Sequence, residues 1–148
     1  MNIDELYQTI ILDHYREKHH SGLRDPHDAE VHHVNPSCGD ELTLRVKLDG
    51  EEIVDVSYDG VGCSISQAST SVMTDLVIGT DFEHAMALYD EFLEMMQSKG
   101  QIEPDEDRFG DAIAFAGVSK FPARVKCALL AWAALRDAVG QATSKEAS

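Results

Sequence analysis

The stretch from residue 42 to residue 58 leaves this chain little freedom. Leu42, Leu44, Val46 and Leu48 alternate with Thr43, Arg45 and Lys47; the turn Asp49-Gly50-Glu51-Glu52 follows; Ile53, Val54, Val56 and Tyr58 come after it. Alternation with period two on both sides of a glycine-containing turn predicts an antiparallel hairpin, and a one-residue slip would move every apolar side chain to the wrong face. Val31-His32-His33-Val34 reads as a third strand.

The flanks carry a different period. Ile3, Leu6, Tyr7, Ile10, Ile11, His14 and Tyr15 recur at steps of three and four, which predicts a helix over 3–18, capped by Asn2 and ended near Ser21-Gly22. Beyond Gly60 and Gly62 the pattern is helical again: 64–78, 81–98 to a stop at Lys99-Gly100, a short segment around 111–117, and a last helix over 121–138 with Pro122 in its first turn and Gly140 after its end. Residues 101–110, with Pro104 and four carboxylates, read as an exposed acidic connection. The order helix, strands, helices predicts an α+β fold, a small three-stranded antiparallel sheet with the N-terminal helix and several C-terminal helices packed on it. Residues 1–140 are expected to form a single domain and 141–148 a frayed polar tail.

Charge narrows the function classes. The formal net charge is -15 with no basic stripe, so neither nucleic acid nor an anionic membrane surface is an expected partner. No apolar run approaches the roughly 20 residues that span a bilayer, and the acidic start Met1-Asn2-Ile3-Asp4-Glu5 is unlike a signal peptide. A soluble, cytoplasmic protein is the expectation. Three cysteines are too few for a disulfide scaffold and suit free thiols or metal ligands in a reducing compartment.

Each cysteine sits beside glycine or proline: Asn35-Pro36-Ser37-Cys38-Gly39-Asp40, Gly60-Val61-Gly62-Cys63-Ser64-Ile65-Ser66 and Phe121-Pro122-Ala123-Arg124-Val125-Lys126-Cys127. Three thiolates and the Asp40 carboxylate would suit one tetrahedral zinc ion, with a formal site charge of about -2. Singly, each residue has a plainer explanation. Cys38 and Asp40 fit an ordinary turn as well as a metal. Cys63 falls between strand and helix, where the helix dipole favours a thiolate, but an inert cysteine also fits there. Cys127 is flanked by Ala128, Leu130 and Ala131 and reads on its own as core. Arg124, one helical turn before Cys127, could offset the site's charge or lie on a solvated face; Lys126 reads as solvated.

Seven histidines compete as ligands. None has a cysteine partner at zinc-finger spacing, so each reads as structural or solvated, with His33 the one reserve ligand. A Cys63–His nucleophilic pair lacks any oxyanion motif. The glycines before Cys63 lack the lysine and spacing of a phosphate loop.

The motifs around Cys38 and Cys63 resemble the first two motifs of the IscU/NifU-like iron–sulfur assembly proteins, and Phe121 to Trp132 resembles the third in its SufU form. Leu6-Tyr7 with Ile11-Leu12-Asp13-His14-Tyr15 is similar to that family's first helix. The resemblance runs from about residue 5 to about residue 139. Lys126 stands where the scaffold members carry histidine, and residues 79–110 lengthen the segment between Cys63 and Cys127; both point to the SufU branch. One departure is Glu17-Lys18-His19-His20, where the family usually has a Pro-Arg-Asn turn.

The resemblance implies a SufE/IscU-like fold and zinc held by Cys38, Asp40, Cys63 and Cys127. It implies that Cys38 accepts sulfur from a SufS-type cysteine desulfurase, whose histidine takes over one zinc position, for onward delivery to SufBCD. Arg124 would then steady the thiolate or persulfide. The alternative it leaves open is an iron–sulfur cluster scaffold.

Overall fold

The computed structural model describes residues 2–37 and 39–147, the side chains of 145–147 apart. Its elements are α1 (Ile3–Glu17), β1 (Ala29–Asn35), β2 (Asp40–Asp49), β3 (Glu52–Val61), α2 (Ser64–Val77), α3 (Phe82–Gln97), α4 (Glu106–Phe109), α5 (Phe115–Val118) and α6 (Pro122–Ala147), with a 3-10 segment Gly110–Ala114 between α4 and α5. The expected α+β architecture is present. The sheet is an antiparallel meander in the order β1-β2-β3.

The alternation seen in sequence sets the buried face. Along β2, Asp40, Leu42, Leu44, Val46 and Leu48 are buried while the intervening residues are not. The helices cover that face. Ala128, Ala131, Trp132, Leu135 and Ala138 of α6 join Leu44, Val46, Ile53 and Val56 of the sheet in one hydrophobic core. The segment that lengthens the chain between Cys63 and Cys127 enters this core too: Leu88, Phe92, Met95 and Met96 of α3 are buried, and Phe92 stacks on Trp132 with ring centroids 4.8 Å apart.

Two sequence expectations need correction. The helix does not stop at Gly140. Gly140 costs about 1 kcal/mol relative to alanine inside a helix, but Ala142 behind it is buried in the core and the Thr143 hydroxyl donates to the Val139 carbonyl, so α6 continues to Ala147. Nor are residues 101–110 all exposed connection. Asp105 Oδ1 accepts the Asp107 N–H at 3.0 Å, starting the turn of α4, and Phe109 is buried.

The turn after α1 is fastened to β3 by a forked ion pair. Arg24 Nε donates to Asp55 Oδ2 at 3.0 Å and Arg24 Nη2 donates to Asp55 Oδ1 at 2.7 Å, with a further bond to the Val56 carbonyl. The guanidinium holds the Asp55 carboxyl below its ordinary value of 3.8. A carboxyl depressed in the folded state stabilises above its unfolded pKa and loses that contribution as pH falls through the folded value. Both groups are partly exposed, so the pair contributes about 1 kcal/mol at most. We expect Asp55→Asn to lower stability by about that amount at neutral pH in urea unfolding, with the two unfolding curves converging below pH 3.8. A constant difference across that range would contradict the assignment.

Candidate metal centre

Asp40 ends the apolar row of β2. Its position in the alternation turns it inward, and its fractional exposure is 0%. An isolated carboxylate in such a place is costly unless it is paired, hydrogen-bonded or bound to a metal. Half of that need is met by the next element. Oδ1 accepts the Cys63 N–H at 2.9 Å and the Ser66 hydroxyl at 3.1 Å. Oδ2 is buried and, among the described residues, accepts no hydrogen bond.

Cys63 is the N-cap of α2. Its Sγ accepts the Ser66 N–H at 3.5 Å, the place usually taken by a serine or aspartate oxygen. The sulfur therefore lies at the positive end of a helix. The glycines before it are sterically required. A Cβ on Gly62 would overlap Asp40 Oδ1 and come within 2.7 Å of Ser66 Oγ; one on Gly60 would come within 2.5 Å of the Glu41 carbonyl.

Cys127 reaches the same point from α6 and is buried. The Ser69 hydroxyl of α2 donates to the Ala128 carbonyl at 2.6 Å, which fixes α6 against α2 one residue from Cys127. One carboxylate oxygen of Asp40 and the sulfurs of Cys63 and Cys127 lie within 4.8 Å of one another. In tetrahedral zinc with bonds of about 2.0–2.3 Å, ligand atoms are about 3.3–3.8 Å apart, so a small contraction suffices. The unmet Oδ2 and two convergent sulfurs fit a zinc ion, and the three residues form a possible metal site.

Cys38, the remaining expected ligand, lies outside the described residues. Its neighbours Asn35 and Asp40 are cross-strand partners at this end of the sheet. Arg124 is exposed in the first turn of α6 and lines a groove of about 540 Å³ together with Tyr7, Ser64, Ile65 and Phe121. Lys126 is exposed, as expected. The reserve ligand His33 is engaged elsewhere: its Nε2 meets Asp137 Oδ2 of α6 at 2.9 Å, and that hydrogen bond holds the Asp137 carboxyl below its ordinary range. Sequence reasoning missed Ser66, which orients both Asp40 and the α2 cap; its signal was the serine three residues after Cys63, at the N3 position of the helix.

Residues 6–128 match the family model described as NifU-like N terminal domain. The chain belongs to the NifU-like N-terminal domain family. It is 44% identical over 144 residues to the iron–sulfur cluster assembly scaffold protein IscU of Streptococcus pyogenes serotype M1, covering 97% of this chain and 89% of that protein. It is also 44% identical over 140 residues to the zinc-dependent sulfurtransferase SufU of Bacillus subtilis, covering 95% and 93%. A crystal structure from Fervidobacterium islandicum AW-1, provisionally assigned as an iron–sulfur cluster assembly scaffold protein for the SUF system, superposes with a TM-score of 0.82 at 38% identity, covering 93% of this chain and 99% of that one. The chain is thus a member of an iron–sulfur cluster assembly family, similar to proteins named for either role.

Gly62→Ala tests the geometry. The added methyl must displace the Asp40 carboxylate or Ser66, an overpacking cost of about 1–3 kcal/mol. The expected outcome is a lower melting temperature of the metal-free protein and weaker zinc binding in a chelator competition. Unchanged values in both would contradict the close approach.

Proposed function

We propose that this protein is a zinc-dependent sulfur-transfer protein, accepting persulfide sulfur from a SufS-type cysteine desulfurase for iron–sulfur cluster assembly. The observation that carries the reading is the buried Asp40 with an oxygen left unmet beside two cysteine sulfurs, a group that contains no histidine among the described residues. A carboxylate and thiolates suit resident zinc. Lys126, at the position where scaffold members of the family carry histidine, is exposed and its ammonium offers no lone pair to a metal.

Zinc bound by Cys38, Asp40, Cys63 and Cys127 would hold the thiols deprotonated at neutral pH. The chain's own residues do the rest. The Cys63 N–H and the Ser66 hydroxyl fix Asp40, so one carboxylate oxygen is always presented. Cys38 is the nucleophile. Its thiolate attacks the terminal sulfur of the donor's persulfide, one S–S bond forms as the donor's S–S bond breaks, and the donor leaves as a thiolate. No net oxidation occurs. Arg124, on the groove beside Ser64, is the cation that would steady the charge of the product persulfide.

A protein donor needs a surface to dock on. Val34 and Val61 flank Glu41 in cross-strand register at the end of the sheet that carries Asp40, and they are 54% and 63% exposed. Phe121, at the start of α6, is 60% exposed. Apolar side chains exposed around a buried polar site suit a partner that covers it. Onward delivery to a SufBCD-type complex, in a reducing cytoplasm, completes the reading.

A second reading, a cluster scaffold, is favoured by the Streptococcus pyogenes relative at equal identity. Cys38→Ser separates the transfer reading from a purely structural zinc role. With the desulfurase and its cysteine substrate, wild-type protein is expected to gain the mass of a sulfur atom on Cys38 and to stimulate turnover. The variant, folded by circular dichroism, is expected to do neither. Full stimulation by the folded variant would overturn the acceptor role.

A further inference from the structure

A second group of metal-ligating side chains lies where the turn after α1 crosses α2. Lys18 ends α1 in the left-handed region, with its N–H donating to the His14 carbonyl. The chain then turns back so that the His19 N–H donates to Ser71 Oγ at 2.9 Å. Three histidines are thereby brought against one face of α2. His14 is buried; its Nδ1 meets Ser71 Oγ and its Nε2 meets Asp111 Oδ2, both at 2.8 Å. His19 Nδ1 meets Asp75 Oδ2 at 2.6 Å and its Nε2 meets Glu17 Oε2 at 2.7 Å. His20 Nδ1 meets Thr74 Oγ1 at 3.0 Å. The rings of His14 and His19 are 4.7 Å apart.

We propose that His14, His19 and Asp75 form a second metal site, separate from the cysteine centre, that binds a borderline divalent transition-metal ion of the zinc class. One ring nitrogen of each histidine and one oxygen of Asp75 lie within 4.8 Å of one another. The outer contacts are those of a built site. A carboxylate only accepts hydrogen bonds, so Asp111 directs a proton to Nε2 of His14 and leaves Nδ1 as its coordinating atom. Glu17 likewise accepts from His19 Nε2; His19 Nδ1 donates to Asp75, so a metal ion binding there would take the place of that proton between the two groups. A ligating histidine whose other nitrogen donates to a carboxylate is the usual arrangement around protein-bound zinc, and here it occurs twice.

Two imidazoles and one carboxylate suit zinc, cobalt or nickel rather than calcium or magnesium, which prefer all-oxygen shells. Three protein ligands leave a position open to water or an exchangeable ligand. Ser71 and Asp75 follow Cys63 by eight and twelve residues on the same helix, which puts this group about 12–18 Å along α2 from the first centre. Two ions would therefore bind independently, the second bracing α1 against α2.

The test is equilibrium dialysis of the full-length protein against micromolar free zinc, read by elemental analysis, with X-ray absorption for ligand type. Wild type is expected to bind two equivalents, one with sulfur ligands and one with only nitrogen and oxygen. His19→Ala and Asp75→Asn should each lose the nitrogen–oxygen equivalent and keep the sulfur one. Cys63→Ser should do the reverse, and its melting temperature should still rise with zinc. His19 and Asp75 are partly exposed, so these two variants are expected to fold. A wild-type protein whose only zinc has sulfur ligands would overturn the proposal, whereas a single nitrogen–oxygen equivalent would count against the cysteine centre instead. The proposal would also be overturned by a nitrogen–oxygen equivalent that survives in both His19→Ala and Asp75→Asn, which would mean adventitious binding at other surface histidines.

Discussion

A carboxylate on the inside of a sheet is the constraint around which the rest of this structure is arranged. Asp40 occupies a position that the alternation of β2 reserves for the core. Burying a charge there is unfavourable unless the surroundings answer it. One oxygen is answered by the Cys63 N–H and the Ser66 hydroxyl, which obliges α2 to begin where it does. The close approach excludes any side chain at position 62. The other oxygen is buried and accepts no hydrogen bond among the described residues. A position that is poor for stability and expensively supported by its neighbours is what a metal-binding role predicts.

α2 is the element that transmits this arrangement. Its first turn carries the cysteine cap, its Ser69 holds the α6 backbone beside Cys127, and its Ser71, Thr74 and Asp75 receive the turn after α1. Ten of its residues, from Ser66 to Val77, are buried although many are polar, and their hydroxyls are committed to bonds such as Thr70 to Ser66 and Thr74 to Ser71. A helix held on several sides by directional bonds keeps its terminal cysteine in a fixed place, which a metal ligand requires.

The hairpin was legible because period-two alternation has one solution, and the helices because their stripes and caps are local signals: Asn2, Cys63 and Asp81 each cap the helix that follows. Asp40, Cys63 and Cys127 were legible as a set through the glycines and prolines beside them, and they do converge. What was not legible depended on pairings distant in sequence. Ser66 acts through Asp40, 26 residues away. His14 and His19 meet α2 through a turn whose left-handed residues, Lys18 and His20, carry no glycine to announce them. The end of α6 was misjudged because burial of Ala142 outweighs the local preference of Gly140.

Resident zinc rather than a cluster is the claim on which the account turns. Its most direct test is the metal content and visible spectrum of the protein purified without added iron. The account predicts a colourless protein that holds sulfur-ligated zinc, and the loss of that sulfur-ligated zinc in Cys63→Ser. A brown protein containing iron and acid-labile sulfide, with no sulfur-ligated zinc, would contradict it.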